Sequence, residues 1–268
     1  MEHLAISVSS GRPAFGEFPS QRMPVIFIDE DTPTDTLESR LRRLGLSQLV
    51  LTPTGHAIAP TYYQGEAGLI DIRSMTGFEF SDKSIDELVG SIQAYGECTV
   101  VIDSLFGTCG NRSLNRTDSA LWLSGYWKRL KSAGATVICS HHSTLKRAAE
   151  LDITTVSMGN TQLIAQSDTV IGIEHLLPET PTRFRVTPKP RRSALEVTEP
   201  FYIEIKETSD MAQLILLDYS PEVVYGSDLR LFPFFLDGKS SLTVKDVWER
   251  VKEDVALKTV RTSMHRLE

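Results

Sequence analysis

Three short, mostly apolar runs, each broken off by charged or polar residues, constrain this chain more than any other feature. Val25-Ile26-Phe27-Ile28 runs into Asp29-Glu30-Asp31, Thr99-Val100-Val101-Ile102 into Asp103-Ser104, and Ala135-Thr136-Val137-Ile138-Cys139-Ser140 into His141-His142. Runs this short, rich in β-branched residues, read as strands buried on both faces, the mark of a parallel sheet covered by helices. Asp168 to Glu174 reads as a fourth strand.

Between the runs the apolar period changes to that of helices. Thr32 reads as an N-cap with Pro33 at the first helical position and Asp35 near the positive end of the dipole, followed by Leu37, Leu41 and Leu44. Ser84 and Glu87 have capping-box spacing ahead of Ile85, Leu88, Val89 and Ile92, and Ala120, Leu123, Trp127 and Leu130 mark a further helix. Strand–helix alternation of this kind predicts an α/β fold with a mainly parallel sheet and flanking helices. Later the texture shifts. Phe201, Ile203 and Ile205 alternate with Tyr202, Glu204 and Lys206, the period of a half-buried antiparallel strand, and Gln213 to Asp218 can pair with it. Residues 1–220 are therefore expected to form the core and 221–240 a linker. Residues 241–268 are expected to form a small helical tail, either a helix-turn-helix or a helical hairpin packed on the core.

Composition narrows the setting. The chain has 268 residues, 41% hydrophobic and 24% charged, which is globular, and no stretch approaches the ~20 apolar residues of a membrane span. Cys98, Cys109 and Cys139 form no C-x-x-C pair, so they read as small buried residues in a reducing compartment, and a cytoplasmic location is expected. The net charge of -7 argues against coating nucleic acid everywhere but leaves room for a local basic surface. Arg183, Arg185, Lys189, Arg191 and Arg192 fall in one segment without an acid, stiffened by Pro188 and Pro190, and read as a projecting element or a solvated basic turn.

Ligands of open α/β sheets bind beyond the carboxyl ends of the strands, where these polar ends should converge. Asp103, closing an apolar run and followed by Ser104, has the form of a Walker B acid that holds magnesium, usually through water, opposite nucleotide phosphates; the plainer reading is a loop-capping acid. Glu30 or Asp31 is placed to orient and deprotonate a water, or else serves only as a helix-entry acid. His141 and His142 point to opposite faces and do not chelate one ion; one of them suits a phosphate or water contact that reports nucleotide state. Lys189, Arg191 or Arg192 could reach a neighbouring subunit's phosphate. Arg112, Arg116, Lys146 and Arg147 sit in loops leaving the same sheet edge and suit a nucleic-acid backbone, or are ordinary surface residues.

The ordered segments VIFIDEDTPTDTLESRLRRL, TVVIDSLFG, GATVICSHHST, GNTQLIAQSDTVIGIE and RFRVTPKPRR resemble the RepA-like branch of RecA-fold AAA ATPases, which includes hexameric plasmid and phage replicative helicases. The resemblance covers roughly residues 4 to 206. It implies a RecA-like fold, ATP and Mg2+ as cofactors, a homo-oligomeric ring, a hexamer in this branch, and single- or double-stranded DNA in a central channel. It also implies Asp31 as the water-activating acid with Glu30 beside it, Asp103 as Walker B, His142 and its neighbour on the sensor strand, and the basic segment as an intersubunit finger.

One element of that family is missing. It opens with a strand and G-x-x-x-x-G-K-[ST], whose backbone N–H groups and lysine cradle phosphate, and nothing of the kind stands here; Gly238-Lys239-Ser240 lacks the first glycine and follows the sheet. Leu4 to Pro13 resembles the end of the helix that follows the loop, so the chain is expected to be a fragment of a longer ATPase, with an unfilled place inside the sheet. The leading expectation is a DNA-associated motor ATPase of the replicative helicase or loader type. The alternatives are a non-catalytic nucleic-acid-binding or ring-assembly protein, and a metal-dependent phosphoesterase using Asp29, Asp103 and His142.

Overall fold

The structure, a computed structural model, describes residues 1–46, 50–51, 56–114, 116–142, 161–175, 181–190, 199–208 and 210–217. The expected linker and helical tail, and the candidates Lys146, Arg147, Arg191 and Arg192, lie outside them.

The three apolar runs become β1 (Val25–Asp29), β5 (Cys98–Asp103) and β6 (Ala135–Cys139), adjacent and parallel in one sheet. That sheet has six strands in the order β2-β3-β4-β1-β5-β6, with β2 spanning Val50–Leu51, β3 Ala57–Tyr63 and β4 Glu66–Ser74. The β3–β4 hairpin is antiparallel, and β4 joins β1 in parallel. Helices cover both faces. On one side Val25, Phe27, Ile70, Ile72 and Val101 pack against Ala5 and Ile6 of α1 (Glu2–Ser10) and Leu37 and Leu41 of α2 (Thr34–Arg43). On the other, Ile26, Ile28, Val100 and Ile102 meet Ile85, Leu88 and Ile92 of α3 (Asp82–Tyr95) and Ala120, Leu123 and Leu130 of α5 (Thr117–Ser132). Burial of such side chains, about 1.5–3 kcal/mol each, drives the three-layer packing. Between β5 and α5 lies one short turn of helix, α4 (Leu105–Thr108).

Two helix starts differ from the sequence reading. The second helix begins at Thr34, with Pro33 as its N-cap, because Asp29 Oδ1 accepts the backbone N–H groups of Asp31 and Thr32 and holds residues 29–32 in a turn. The third is capped by Ser81, whose hydroxyl accepts Ser84 N at 3.2 Å, three residues ahead of the expected cap.

Asp168 to Glu174 also takes another place than expected. As β7 (Thr169–His175) it belongs to a separate antiparallel sheet in the order β10-β9-β8-β7, with β8 spanning Arg183–Pro190, β9 Phe201–Glu207 and β10 Ala212–Leu216. The alternating strand at Phe201 and its partner are borne out as β9 and β10. The basic segment is not a projecting arm up to residue 190: it is β8, paired with β7 over Phe184–Pro190 and with β9 over Arg183–Val186. Pro188 and Pro190 fall beyond the β9 pairing, where one edge of β8 needs no donor.

The second sheet is fixed to the core by side chains. Arg43 pairs with Glu207 at 3.1 Å, Lys131 with Asp168 at 2.6 Å, and Phe15 and Phe18 pack on Phe201 with ring centroids 5.9 and 4.8 Å away. Ser124 also bonds Gln166 of α6 (Thr161–Gln166) at 3.3 Å. Among the described residues, β6 ends one sheet and β7 ends the other, each with an unpaired outer edge.

Candidate functional site

The parallel strands stop in a row. Register places Ser74 of β4, Asp29 of β1 and Asp103 of β5 side by side, and Ser140 follows β6 next in line. Neighbours in such a row point to one face. The convergence expected of three polar strand ends is therefore what the fold produces.

The three consecutive acids after β1 have different partners. Asp29 is fully buried (0% exposed), and its Oδ1 is used by the turn at Asp31 and Thr32, at 3.0 and 2.8 Å. Its Oδ2 is buried without a hydrogen bond. Burial pushes the Asp29 carboxyl above its usual range, and the charge of Asp103 adds to the rise, against the pull of the two backbone donors.

Glu30 turns to the other face of the sheet and is enclosed. Its Oε1 accepts Thr76 N at 3.1 Å, Thr76 Oγ1 at 2.9 Å and Phe78 N at 3.0 Å, and its Oε2 accepts Gly77 N at 3.0 Å. Successive N–H groups curled round one anion form a nest, and Gly77 at φ 73 supplies the backbone conformation that makes it. A carboxylate has about four lone-pair sites, so this one has little capacity left to take a proton from water.

Asp31 stays at the surface. Its Oδ2 accepts the Ser104 hydroxyl at 2.5 Å, and its Oδ1 lies against Gly107, where a Cβ would come within 2.5 Å of it. One hydrogen bond leaves the rest of this carboxylate open to solvent and ligand. Of the two acids read from sequence as candidates for activating water, Asp31 is the one with an oxygen left for another partner.

Asp103 Oδ1 accepts the hydroxyl of Ser140. Ser140 was not singled out by sequence, where its neighbours His141 and His142 drew the attention. His142 is exposed and His141 half-buried. Among the described residues no three His, Cys, Asp or Glu side chains stand close enough together to hold a metal unaided. Asp103 and Asp31 offer hard carboxylate oxygens, which suit Mg2+ completed by water and phosphate oxygens rather than an all-protein cage. The phosphoesterase alternative draws no support here, since Asp29, Asp103 and His142 do not stand together as a metal-holding group among the described residues.

These features match a known family: residues 2–148, more than half of the chain, fit the AAA domain. The chain belongs to the AAA domain family. No curated protein matches it. AAA domains of this RecA-like kind are nucleotide-binding ATPase folds that use Mg2+, and the matched stretch of the AAA domain contains Glu30, Asp31, Asp103, Ser104, Ser140 and both histidines. The fold agrees, with a mainly parallel helix-flanked sheet and an antiparallel one beside it.

Outside the row, the other candidates are scattered. Arg112 stacks on Trp122 at 4.4 Å from the ring centroid, and Arg116 pairs with Asp118 at 3.0 Å, so each is anchored beside α5 rather than extended. Arg183 and Arg185 pair with Glu204 and Glu174 at 3.0 and 3.4 Å. Lys189 lies on β8, opposite Val170. The cysteines are free thiols, and burial pushes Cys109 up to about 11 and Cys139 to about 12, so neither is a nucleophile at neutral pH. No described helix is long and apolar enough to cross a membrane.

Proposed function

We propose that this chain is the ATPase core of a DNA-associated motor of the replicative helicase or loader type, in the RepA-like branch, working as a homo-oligomeric ring.

 

In that assembly, a hexameric ring, ATP sits between subunits. The observation that supports the reading is the row at the strand ends: Asp103 held by Ser140, and Asp31 held by Ser104 one strand away. Asp103 would hold Mg2+ through water, and Mg2+ supplies neutralisation of the charge that develops on the phosphate oxygens. Asp31 would accept the proton of a water as its oxygen bonds to the terminal phosphorus and the bond to the bridging oxygen breaks. Lys189, Arg191 or Arg192 would reach the charge developing in the neighbouring subunit. Arg112, Arg116, Lys146 and Arg147 would face the DNA backbone.

The reading also needs a phosphate cradle, which no stretch of the sequence supplies. The open edge of β6, next to Ser140, is where an added parallel strand would deliver one. The test is Mg2+-dependent ATP hydrolysis by the chain as it stands and by the chain joined to the in-frame coding sequence upstream. Turnover in the longer protein, lost in Asp103→Ala and in Asp31→Asn, supports the assignment. Full turnover in Asp103→Ala refutes it. The second reading, a non-catalytic nucleic-acid-binding or ring-assembly protein, draws on the absent phosphate loop; salt-sensitive DNA binding indifferent to nucleotide would favour it.

A further inference from the structure

Two serines stand in the same relation to the two working carboxylates. Ser140, at the end of β6, donates its hydroxyl to Asp103 Oδ1 on β5. Ser104, at the end of β5, donates its hydroxyl to Asp31 Oδ2 beyond β1. The strands lie in the order β1-β5-β6, so in each pair the serine comes from the strand on the β6 side.

Both serines are firmly placed. Ser140 N–H donates to Ile102 O at 3.0 Å, and Ser140 O accepts Leu105 N–H at 3.0 Å. With its hydroxyl on Asp103, it joins β6 to the β5–α4 corner at three points. Ser104 is 3% exposed, caps α4 by accepting Gly107 N at 3.4 Å, and accepts the Thr108 hydroxyl on its carbonyl at 3.1 Å. A serine hydroxyl carries one proton, and here each is spent on a carboxylate. Among the described residues, neither carboxylate has another side-chain donor.

We propose that Ser140 and Ser104 are positioning residues, each fixing one oxygen of the neighbouring strand's carboxylate so that the other faces the ligand. This rests on the ATPase reading for its purpose, although the two contacts stand without it. A charge-assisted O–H···O bond holds a carboxylate rotor that would otherwise turn freely at the surface. The two contacts also form a chain from the open edge strand inward. A shift of β6 reaches Asp103 through Ser140, and a shift of the β5 end reaches Asp31 through Ser104. Binding along β6 would thereby be felt at both acids.

The test uses the full chain labelled with 13C at the aspartate carboxyl carbons, with Asp103→Asn and Asp31→Asn giving the assignments. In Ser140→Ala the Asp103 resonance moves and Asp31 stays; in Ser104→Ala the Asp31 resonance moves and Asp103 stays. Ser140→Thr and Ser104→Thr, which keep the hydroxyl, restore each signal. Resonances that stay put in both alanine variants overturn the proposal, whatever the chain does with nucleotide. Should one alanine variant not fold, the other decides on its own carboxylate. Mn2+ titrated with ATP into the chain joined to its in-frame upstream coding sequence, which on the ATPase reading supplies the phosphate cradle, separates this proposal from the function it serves. Ser140→Ala should weaken binding roughly tenfold, as loss of a ligand's supporting hydrogen bond does elsewhere. Equal binding by wild type and Asp103→Asn would sink the ATPase reading and leave the carboxyl resonances to judge the serines.

Discussion

Gly68 is the position where one added methyl group should do most harm. It lies on β4 against the end of α1, and a Cβ there would stand 1.6 Å from Ser9 O, 2.6 Å from Ser9 C and 2.7 Å from Thr61 Oγ1. Ordinary C···O contact needs about 3.3 Å, so α1 must retreat by about 1.7 Å. The atom in the way is backbone, and no side-chain rotation relieves it. A gap of even 0.5–1 Å forfeits roughly a quarter to a half of a dispersion contact, so most of the packing beneath Ala5 and Ile6 is lost. Full burial of an isoleucine is worth about 1.5–3 kcal/mol, and Ala5 adds to it, giving about 3–4 kcal/mol for Gly68→Ala. Urea unfolding followed by tryptophan fluorescence reads this directly. Gly65→Ala serves as the control: φ is 82 but no atom lies within 4 Å of its Cβ, so only backbone strain of about 1–2 kcal/mol applies. A loss at Gly68→Ala no greater than that at Gly65→Ala would refute the steric reasoning.

Other perturbations separate the acids and the helix at the start of the chain. Gly107→Ala brings a Cβ within 2.5 Å of Asp31 Oδ1, a side-chain end that can swing away. Stability should change by less than about 1 kcal/mol, since Asp31 can find water, while ATP turnover of the upstream-extended chain, under the proposed function, falls roughly a hundredfold from a displacement near 1 Å; an unchanged rate would clear Asp31 of the proposed role. Asp29→Asn removes a buried carboxylate oxygen that has no hydrogen bond. Because burial raises the Asp29 carboxyl above its model-peptide value of 3.8, its contribution is present below that value and lost as pH rises through the folded value. The variant should therefore gain about 1 kcal/mol at pH 7 and less in acid, in paired melts at the two pH values. His3 accepts Phe15 N–H at 3.1 Å, and burial, aided by Arg12, lowers it from 6.5 to about 4. Its neutral form contributes stability above pH 6.5 that is lost as pH falls toward 4, so His3→Gln should flatten the unfolding profile across that window.

The sheet was legible because its strands are buried on both faces, and such strands announce themselves as unbroken apolar runs. The hairpin from Ala57 to Ser74 was not, since its inward positions Ala57, Ala59 and Thr61 are small or polar and give a faint period. Gln64 and Gly65, at φ 52 and 82, form the turn, and a glycine in the second turn position was the available signal. Thr32-Pro33 has the look of a cap and a first helical residue, yet the second helix starts at Thr34. What decides is Asp29, whose side chain captures the same amides first. Helix capping and turn formation compete for the same donors, and sequence spacing does not rank the competitors. Arg183 to Pro190 differs from the sequence reading for a related reason: two prolines suggest a free arm, yet an edge that has no strand partner among the described residues admits them into a strand. Nothing in the sequence marks one serine beside two histidines, and the contact of Ser140 with Asp103 appears only when β6 is laid beside β5.

Asp29, Glu30 and Asp31 show why a motif locates a site without dividing its labour. All three are acids within three residues at one strand end, and alternation sends Asp29 and Glu30 to opposite faces of the sheet. Asp29 meets the start of its own turn, and Glu30 meets the amides of residues 76–78. Asp31, past the strand end, meets a single hydroxyl. The capacity left on each carboxylate then follows from counting donors against lone pairs. Asp29 has an oxygen free but sealed from solvent, Glu30 is used up by the loop it holds, and Asp31 has an oxygen free and exposed. Under the proposed function, chemistry on a phosphate would need the third condition. The first two acids are then best understood as the support that makes it possible, since the turn fixed by Asp29 and the loop fixed by Glu30 together set where Asp31 stands.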